Sequence, residues 1–297
     1  MFTGLSAFPL TPLRDDAVDE AAYVGLIERL VAAGVDSITA LGSTGSYMYL
    51  DRAERRRVAE LAVRSAGDVP VMVGIGALRT SLVQRLADDA QEAGASAVLL
   101  APVSYQKLTD DEVFGLFEDV TAGLSVPLVV YDNPGTTHVT FTDELYARIA
   151  ALPHVASIKI PGVPPVPDAA AERVQSIRAH LPDTVSIGVS GDPFAAVGLG
   201  AGCDVWYSVI GGTLPDEALA ISRPALSGDR EAARAASLRL DRLWRLFREF
   251  GSLRVTAAIA EHLGLVAPDS LPRPVRGLDP STRAEVARIA DALHIAR

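Results

Sequence analysis

The most constraining feature of this sequence is a unit that occurs three times: a helical pattern, a glycine and a short apolar run. The three glycines are Gly34, Gly94 and Gly202, and each suits the C-terminal cap of a helix. They are spaced 60 and 108 residues apart. These gaps fit two and four units of roughly 27 to 30 residues, which is the size of a βα repeat.

The sequence between these units supplies further strands. Four apolar runs have the composition of parallel strands buried on both faces: Val69–Ile75, Val126–Tyr131, Val155–Ile160 and Val185–Val189. With Thr3–Pro9 as the first strand, eight βα units end near Arg223, and eight is the number that closes an α/β barrel. We therefore predict a (β/α)8 TIM barrel over residues 1–223 with a C-terminal helical extension over residues 224–297. The extension is predicted to form helices near Asp229–Phe250, Leu253–Leu263 and Ser281–His294.

The charge balance argues against a nucleic-acid partner. The formal net charge is −10, and no long run of Lys and Arg is present. The densest basic stretch, Arg55–Arg57, lies in a helical pattern between Glu54 and Glu60. That pattern predicts a solvated helix face.

The single cysteine, Cys203, permits neither an intrachain disulfide nor a thiolate metal site, and its apolar surroundings predict a small buried side chain. Residues 1–5 lack the basic and apolar regions of a signal peptide. No window reaches the roughly 18 uninterrupted apolar residues that a membrane span requires. We expect a cytoplasmic protein without a membrane partner.

Lys159 carries the strongest chemical signal. Of 27 basic residues only Lys107 and Lys159 are lysines, so a retained lysine suggests chemistry that arginine cannot perform. Lys159 ends the apolar sixth strand, where desolvation favours the neutral, nucleophilic amine and where barrel active sites lie. We predict a Schiff base between Lys159 and a carbonyl substrate; the alternative is a structural lysine paired with a carboxylate. Lys107 lies on a polar loop and is predicted to be a surface residue.

Two other strand ends carry groups that could assist such a lysine. Gly42–Ser46 follows the second strand, and its hydroxyls and backbone N–H groups could hold a carboxylate or an oxyanion, although such loops also occur as plain turns. Tyr131 ends the fifth strand. Its phenol could relay a proton if it points into the barrel mouth rather than toward the outer helices.

A metal-dependent aldolase is disfavoured by the distribution of histidines. The five histidines show no close pairing and no His-x-His spacing: His138, His154, His180, His262 and His294.

Three motifs taken together resemble the dihydrodipicolinate synthase/N-acetylneuraminate lyase family: Gly42-Ser43-Thr44-Gly45, Tyr131-Asp132-Asn133-Pro134 and Ser157-Ile158-Lys159. The resemblance covers essentially the whole chain and includes Thr11-Pro12, Ser190-Gly191-Asp192 and Glu261–Leu265. It implies a class I, pyruvate-dependent lyase or aldolase that acts on a small 2-oxo acid and an aldehyde. It also implies a (β/α)8 barrel, a homo-oligomer (a dimer, or a tetramer built from two tight dimers) and no metal or organic cofactor.

Carried over by position, the resemblance assigns roles to individual residues. Lys159 is similar to the Schiff-base lysine and Tyr131 to the proton-relaying tyrosine. Ser43 and Thr44 occupy the two hydroxyl positions that bind the pyruvate carboxylate and assist the relay. Tyr105 is the candidate for a tyrosine lent across the dimer interface, in a loop one residue longer than in the synthases.

The departures from the family pattern concern the second substrate. Thr136 stands where the synthases carry an arginine for the carboxylate of their semialdehyde, Ser46 replaces a glutamate, and the stretch 160–165 is stiff and apolar. Thr136 and Tyr207 complete the predicted substrate-binding set. We expect the same first half-reaction with a different acceptor, weak dihydrodipicolinate synthase activity, and better use of neutral or hydroxylated aldehydes.

Three alternatives remain open at this point. The chain could be a genuine 4-hydroxy-tetrahydrodipicolinate synthase. It could be a phosphate-handling barrel isomerase or aldolase, because Ser190-Gly191 and Gly211-Gly212 follow strands seven and eight, although neither loop carries a basic residue. It could also bind a 2-oxo acid without catalysis, although Lys159 and Tyr131 argue against that reading.

Overall fold

The computed structural model describes residues 3–293, and within them eight parallel strands close into a barrel. In chain order, β1 to β8 are Gly4–Ala7, Ser37–Ala40, Val71–Gly74, Ala97–Leu100, Leu128–Tyr131, Val155–Ile160, Ser186–Val189 and Val205–Ser208. β1 pairs with both β2 and β8: Ser6 lies opposite Ser37 on one side and Tyr207 on the other. The predicted (β/α)8 TIM barrel is therefore confirmed.

Several strands are shorter than the apolar runs that predicted them. β1 ends before Pro9, β3 begins just after Pro70, and β5 begins just after Pro127. Proline has no N–H to donate to a neighbouring strand, so the ladder stops beside it. Only the carbonyls of Pro70 and Pro127 join the sheet, where they accept hydrogen bonds from the backbone N–H groups of Ile38 on β2 and Val98 on β4.

Helices surround the barrel and continue beyond it. In chain order, α1 to α13 are Glu20–Ala33, Arg52–Ser65, Thr80–Glu92, Asp110–Thr121, Pro134–Thr137, Asp143–Ala150, Pro167–Arg178, Ala195–Gly200, Pro215–Leu226, Arg230–Arg239, Asp241–Phe250, Ser252–His262 and Pro280–Ala292. α9 runs through the boundary between residues 223 and 224, and α10 to α13 follow it. The division of the chain at that boundary stays a prediction.

The single helix predicted over residues 229–250 is wrong, because the structure breaks it at Leu240 into α10 and α11. The break is stabilised by Trp244, whose indole Nε1 donates to the Ser237 carbonyl at 2.9 Å and contacts the Ser237 hydroxyl at 3.2 Å. The ring thus satisfies a carbonyl at the end of α10. The predicted last helix corresponds to α13, and His294 lies outside the described residues.

A short hairpin of Leu13–Arg14 and Ala17–Val18 was not predicted. Its turn residues Asp15 and Asp16 have φ values of 53° and 62°. Aspartate tolerates this left-handed region better than most residues, and two positive φ values match the twist of a two-residue hairpin. The strands are too short to show an alternating pattern in the sequence.

Apolar side chains pack on both sides of the barrel wall. Inside the barrel, Phe8, Met72, Leu99, Val129 and Tyr207 belong to one buried cluster. A larger cluster fills the space between the strands and the outer helices. A third cluster holds α12 and the loop after it against the start of the chain through Leu10, Leu26, Ala257, Ala260, Val266 and Leu271.

The prediction that the basic stretch Arg55–Arg57 forms a solvated helix face holds for Arg56 and Arg57 but not for Arg55. Arg56 is exposed, Arg57 is half-buried, and both form ion pairs with carboxylates of neighbouring helices. Arg55 is buried, donates hydrogen bonds to the carbonyls of Gly74 and Gly76 at 2.9 and 3.0 Å, and lies over the Tyr47 ring. Burial lowers the pKa of Arg55 to about 10. The prediction rests on the number of charged residues in the stretch. It does not consider the helical period, which places Arg55 on the barrel-facing side of α2.

Candidate active site

The polar strand ends singled out in the sequence meet in one cavity. It has a volume of about 430 Å³, within the size range of small-molecule sites. Of the predicted site residues, the structure brings these to its lining: Ser43, Thr44, Tyr131, Thr136, Lys159 and Tyr207. They come from β2, β5, β6 and β8 or from the segments that follow them.

Lys159 lies near the end of β6, opposite Tyr131 on β5. Its Nζ lies 4.0 Å from the ring centres of both Phe8 and Tyr131 and 5.8 Å from that of Tyr207. The side chain is 3% exposed. Burial in this aromatic surround lowers the pKa of Lys159 to about 7, against the opposing effect of Asp192, because the charged amine loses its hydration. A substantial fraction of the amine is therefore neutral near pH 7.

The Tyr131 hydroxyl lies 3.4 Å from the Ser43 Oγ. Asn133 Nδ2 donates to the same phenol oxygen at 3.1 Å and to Thr136 Oγ1 at 3.1 Å. Because the phenol oxygen accepts from Asn133, its own proton is free to point toward Ser43 or a substrate. Burial raises the pKa of Tyr131, while the contact with Ser43 opposes the rise. The phenol is thus retained as a proton donor at neutral pH.

The turn that carries Ser43 and Thr44 is pressed against the barrel interior. A Cβ at Gly42 would lie 2.5 Å from the Phe8 ring, so only glycine allows the approach. Thr44 is 4% exposed and lines the cavity. Ser46, where the family resemblance predicts a glutamate, is buried and does not line the cavity.

The members of the Tyr131-Asp132-Asn133-Pro134 motif face in different directions. Asp132 does not line the cavity but accepts a 2.5 Å hydrogen bond from the Tyr146 hydroxyl of α6. Burial raises the pKa of Asp132 to about 6. This contact fixes the end of β5 to the outer helix layer while Tyr131 and Asn133 face the cavity.

Asp192, in the turn after β7, holds the loop after β8 in place. Its carboxylate accepts hydrogen bonds from Trp206 Nε1 at 3.1 Å, Ser208 Oγ at 3.3 Å, the Val209 N–H at 3.1 Å and the Ile210 N–H at 2.7 Å. Burial raises the pKa of Asp192 to about 6, and these donors oppose the rise. The N–H groups of Val209 and Ile210 are therefore occupied by this carboxylate, while those of Gly211 and Gly212 donate to Ser208 Oγ and to the Val209 carbonyl, so these four amides after β8 are already engaged.

Tyr207 lies inside the barrel below the cavity mouth and is 1% exposed. Its hydroxyl is within 2.8 Å of Ser157 Oγ, so it offers the cavity mainly its ring.

Tyr105 is 91% exposed and does not line the cavity of its own chain. Lys107 is exposed in the same loop, as predicted. The assignment of Tyr105 to a partner subunit's site stays a prediction.

The cavity also contains residues that sequence reasoning missed. Asn133 belongs to a quoted motif and Phe8 to the first predicted strand, but neither was assigned a role from the sequence. The segments after β6, β7 and β8 contribute Pro161, Pro193, Phe194 and Val209. A further group comes from the C-terminal helices α11 and α12: Phe247, Arg248, Ser252 and Leu253. Amphipathic periodicity predicts such helices, yet it does not say which strand ends they cover.

Cys203 is buried as predicted, and burial raises the pKa of its thiol to about 12. Within residues 3–293 no three His, Cys, Asp or Glu side chains come together in a metal-binding group. The expectation of a metal-free site stays a prediction. Among the helices of the same residues, none is both long and apolar enough to cross a membrane.

Comparison with known proteins agrees with this architecture over the whole chain. The model of the dihydrodipicolinate synthetase family matches residues 1–293. A Phenylobacterium zucineum protein named 4-hydroxy-tetrahydrodipicolinate synthase is 32% identical over 300 residues, with 98% of each chain covered. A Hyphomonas neptunium protein of the same name is 35% identical over 253 residues, covering 82% of this chain and 83% of the relative. The crystal structure of dihydrodipicolinate synthase from Agrobacterium tumefaciens is similar with a TM-score of 0.94 and 45% identity, again with 98% of each chain covered.

Proposed function

This chain belongs to the dihydrodipicolinate synthetase family and is thus a class I aldolase-type lyase, and from that premise we propose that it acts on pyruvate or a related 2-oxo acid through a Schiff base at Lys159. The observation that carries the proposal is the buried amine of Lys159, held beside the Tyr131 phenol in the cavity. Its pKa of about 7 leaves the amine nucleophilic without a separate base.

The first half-reaction follows from this arrangement. The neutral amine attacks the ketone carbon of the 2-oxo acid, and the resulting carbinolamine loses water to form a protonated imine. The imine accepts an electron pair when a C–C bond breaks, which yields an enamine and releases an aldehyde. In the opposite direction, the imine loses a proton to become the enamine, which attacks an aldehyde. Tyr131 is the group placed to carry protons between the carbinolamine oxygen and Ser43.

The substrate carboxylate is assigned to the turn after β2. Ser43 and Thr44 both line the cavity and carry hydroxyls, and the turn offers backbone N–H groups beside them. In this proposal Tyr105 would complete the relay from a second subunit, since its exposed position in its own chain leaves it available to a partner. The proposal includes a cytoplasmic homo-oligomer, the assembly that the family resemblance implies.

The second substrate differs, in this proposal, from aspartate semialdehyde. Thr136 lines the cavity after β5 and binds Asn133, so this wall is neutral where a carboxylate would need a cation. Loss of a charge-assisted contact costs about 1.5 to 3 kcal/mol, or roughly a ten- to hundredfold penalty. The second candidate function is a genuine 4-hydroxy-tetrahydrodipicolinate synthase, which the names of the relatives favour.

The test is reduction of the protein with borohydride in the presence of pyruvate, followed by intact-mass measurement and peptide mapping. We expect one pyruvate-derived adduct, on Lys159. An adduct confined to Lys107 would overturn the proposed mechanism. A direct assay with pyruvate and aspartate semialdehyde separates the two candidates, because efficient condensation would establish the synthase.

A further inference from the structure

The charged groups of the cavity are unevenly distributed. Among the described residues that line it, the charged side chains are Lys159, Asp192 and Arg248. Asp192 has its carboxylate engaged by four donors, so it does not present a free anion to a substrate. Lys159 becomes part of the imine in the proposed reaction. Arg248 is therefore the cation left to recognise another part of the substrate.

The position of Arg248 is set by the junction of α11 and α12. Gly251 joins the two helices with φ 83° and ψ 140°, a backbone conformation that suits glycine. The junction brings Phe247 and Arg248 from the end of α11 and Ser252 from the start of α12 to the same cavity. α11 also packs against the turn 192–194 after β7. Arg248 thus joins the cavity lining from the helix that packs beside the turn after β7.

The Arg248 side chain is exposed at the cavity and is not used by the protein itself. Within residues 3–293 no hydrogen bond or ion pair engages its guanidinium. By contrast, Arg245, one turn earlier on the same helix, is paired with Glu285 at 2.7 Å. A guanidinium is always charged and presents a planar fork of donors that matches a carboxylate in two parallel hydrogen bonds.

We propose that Arg248 binds a carboxylate at the end of the substrate remote from the carbonyl that Lys159 attacks. The inference rests on the proposed function, because it takes the 2-oxo acid end to lie at Lys159. It deepens that function by naming the substrate class: a 2-oxo acid with a second carboxylate at its far end, other than the adduct of pyruvate and aspartate semialdehyde, whose carboxylate would meet the neutral wall beside Thr136. The anion-binding wall lies on the β7 side, whereas the wall beside Thr136 after β5 is neutral.

Equilibrium binding of matched 2-oxo acids tests the inference without requiring turnover. The pairs 2-oxoglutarate with 2-oxopentanoate and 2-oxoadipate with 2-oxohexanoate differ in whether the far end carries a carboxylate. In calorimetry at low salt, wild-type protein should bind the dicarboxylate of at least one pair about tenfold more tightly than the matched monocarboxylate. Arg248→Gln should remove that preference while leaving the affinity for the monocarboxylate within about twofold. Arg248→Lys should keep part of the preference.

The matched control is Arg242→Gln, which removes a charge from an exposed position of the same helix that does not line the cavity. It should retain the wild-type preference, and a circular dichroism melt should show all variants folded. The inference is overturned if wild type shows no preference in either pair, if no acid binds, if Arg248→Gln keeps the preference, or if Arg242→Gln loses it equally.

The pyruvate-trapping experiment separates this inference from the proposed function. Trapping at Lys159 without a preference for either dicarboxylate would overturn the role of Arg248 alone. A preference that depends on Arg248 without pyruvate trapping would overturn the Schiff-base proposal and leave the anion site standing.

Discussion

The floor and the rim of the cavity are built in different ways. The floor consists of Ser43, Thr44, Tyr131 and Lys159, which lie on barrel strands or directly after them. The rim consists of Thr136, Arg248 and the neighbouring residues of α5, α11 and α12. Strand register fixes the floor, since Tyr131 and Lys159 are opposite each other on paired strands. The rim depends on short helices and loops, which can change without disturbing that register.

The two regions also differ in their electrostatics. The floor is largely buried, with Lys159 only 3% exposed, so a charge there is costly and the pKa of Lys159 falls to about 7. At the rim Arg248 is exposed, so a contact with its guanidinium is screened by salt. The floor is therefore suited to chemistry and the rim to recognition. Such a division allows the residues of the rim to change, and with them the second substrate, while the floor retains the chemistry of the first half-reaction.

The floor is most sharply tested by Lys159→Arg. Guanidinium cannot act as the nucleophilic amine, so pyruvate trapping should vanish and turnover should fall on the order of 10⁴-fold or more. Lys107→Arg is the matched control, because it removes the other lysine from an exposed loop and should leave both measurements unchanged. Mass spectrometry after borohydride reduction checks the trapping. Residual trapping in Lys159→Arg that maps to Lys107 would mean that Lys159 is not the Schiff-base lysine.

Tyr131→Phe should separate proton transfer from binding within the floor. The phenol contacts Ser43 and Asn133, and its removal should lower kcat by about 10² to 10⁴ while pyruvate binding is largely retained. Tyr23→Phe is a suitable control, since Tyr23 is a fully buried tyrosine of α1 outside the cavity lining. The measurement is kcat from steady-state kinetics, with the aldehyde that the wild-type enzyme uses most efficiently. A loss in kcat below about fivefold would remove Tyr131 from the mechanism.

The contrast between floor and rim also explains what the sequence could predict. The apolar runs and their spacing were sufficient for the barrel, and the strand-end motifs were sufficient for Lys159 and Tyr131 to be placed together. Arg248 could not be found in this way, because its contact with the cavity depends on how α11 packs against the turn after β7. The carboxylate of Asp192 was visible in a motif, but its four donors come from residues 206 to 210 on the next strand and loop.

At the rim, Thr136→Arg should shift acceptor preference by a smaller factor. An added guanidinium after β5 would supply the cation that aspartate semialdehyde lacks there. We expect the ratio of kcat/KM for the semialdehyde to that for a neutral aldehyde to rise about ten- to hundredfold. Thr140→Arg adds the same charge at an exposed position outside the cavity lining and should leave the ratio unchanged. An unchanged ratio in Thr136→Arg would show that this position does not face the second substrate.

The smallest expected effect is the response of the Lys159 amine to pH above neutrality. With a pKa of about 7, roughly half of the amine is neutral at pH 7, so raising the pH to 9 should increase its reactivity only about twofold. An amine with the ordinary lysine pKa would gain about a hundredfold over the same interval. Below pH 7 the reactivity of the amine also falls with falling pH, but more steeply. Each pH unit lowers the fraction of neutral amine by about tenfold.

Competitive acetylation with acetic anhydride measures this response, with mass spectrometry quantifying the label at Lys159 and with the exposed Lys107 as an internal reference. Asp192→Asn should move the midpoint for Lys159 to lower pH, since it removes the carboxylate that opposes the effect of burial. A labelling curve for Lys159 that continues to rise steeply between pH 8 and 10 would contradict the lowered pKa that burial gives this amine. It would mean that water or an anion reaches the amine, and the electrostatic contrast between floor and rim would then disappear.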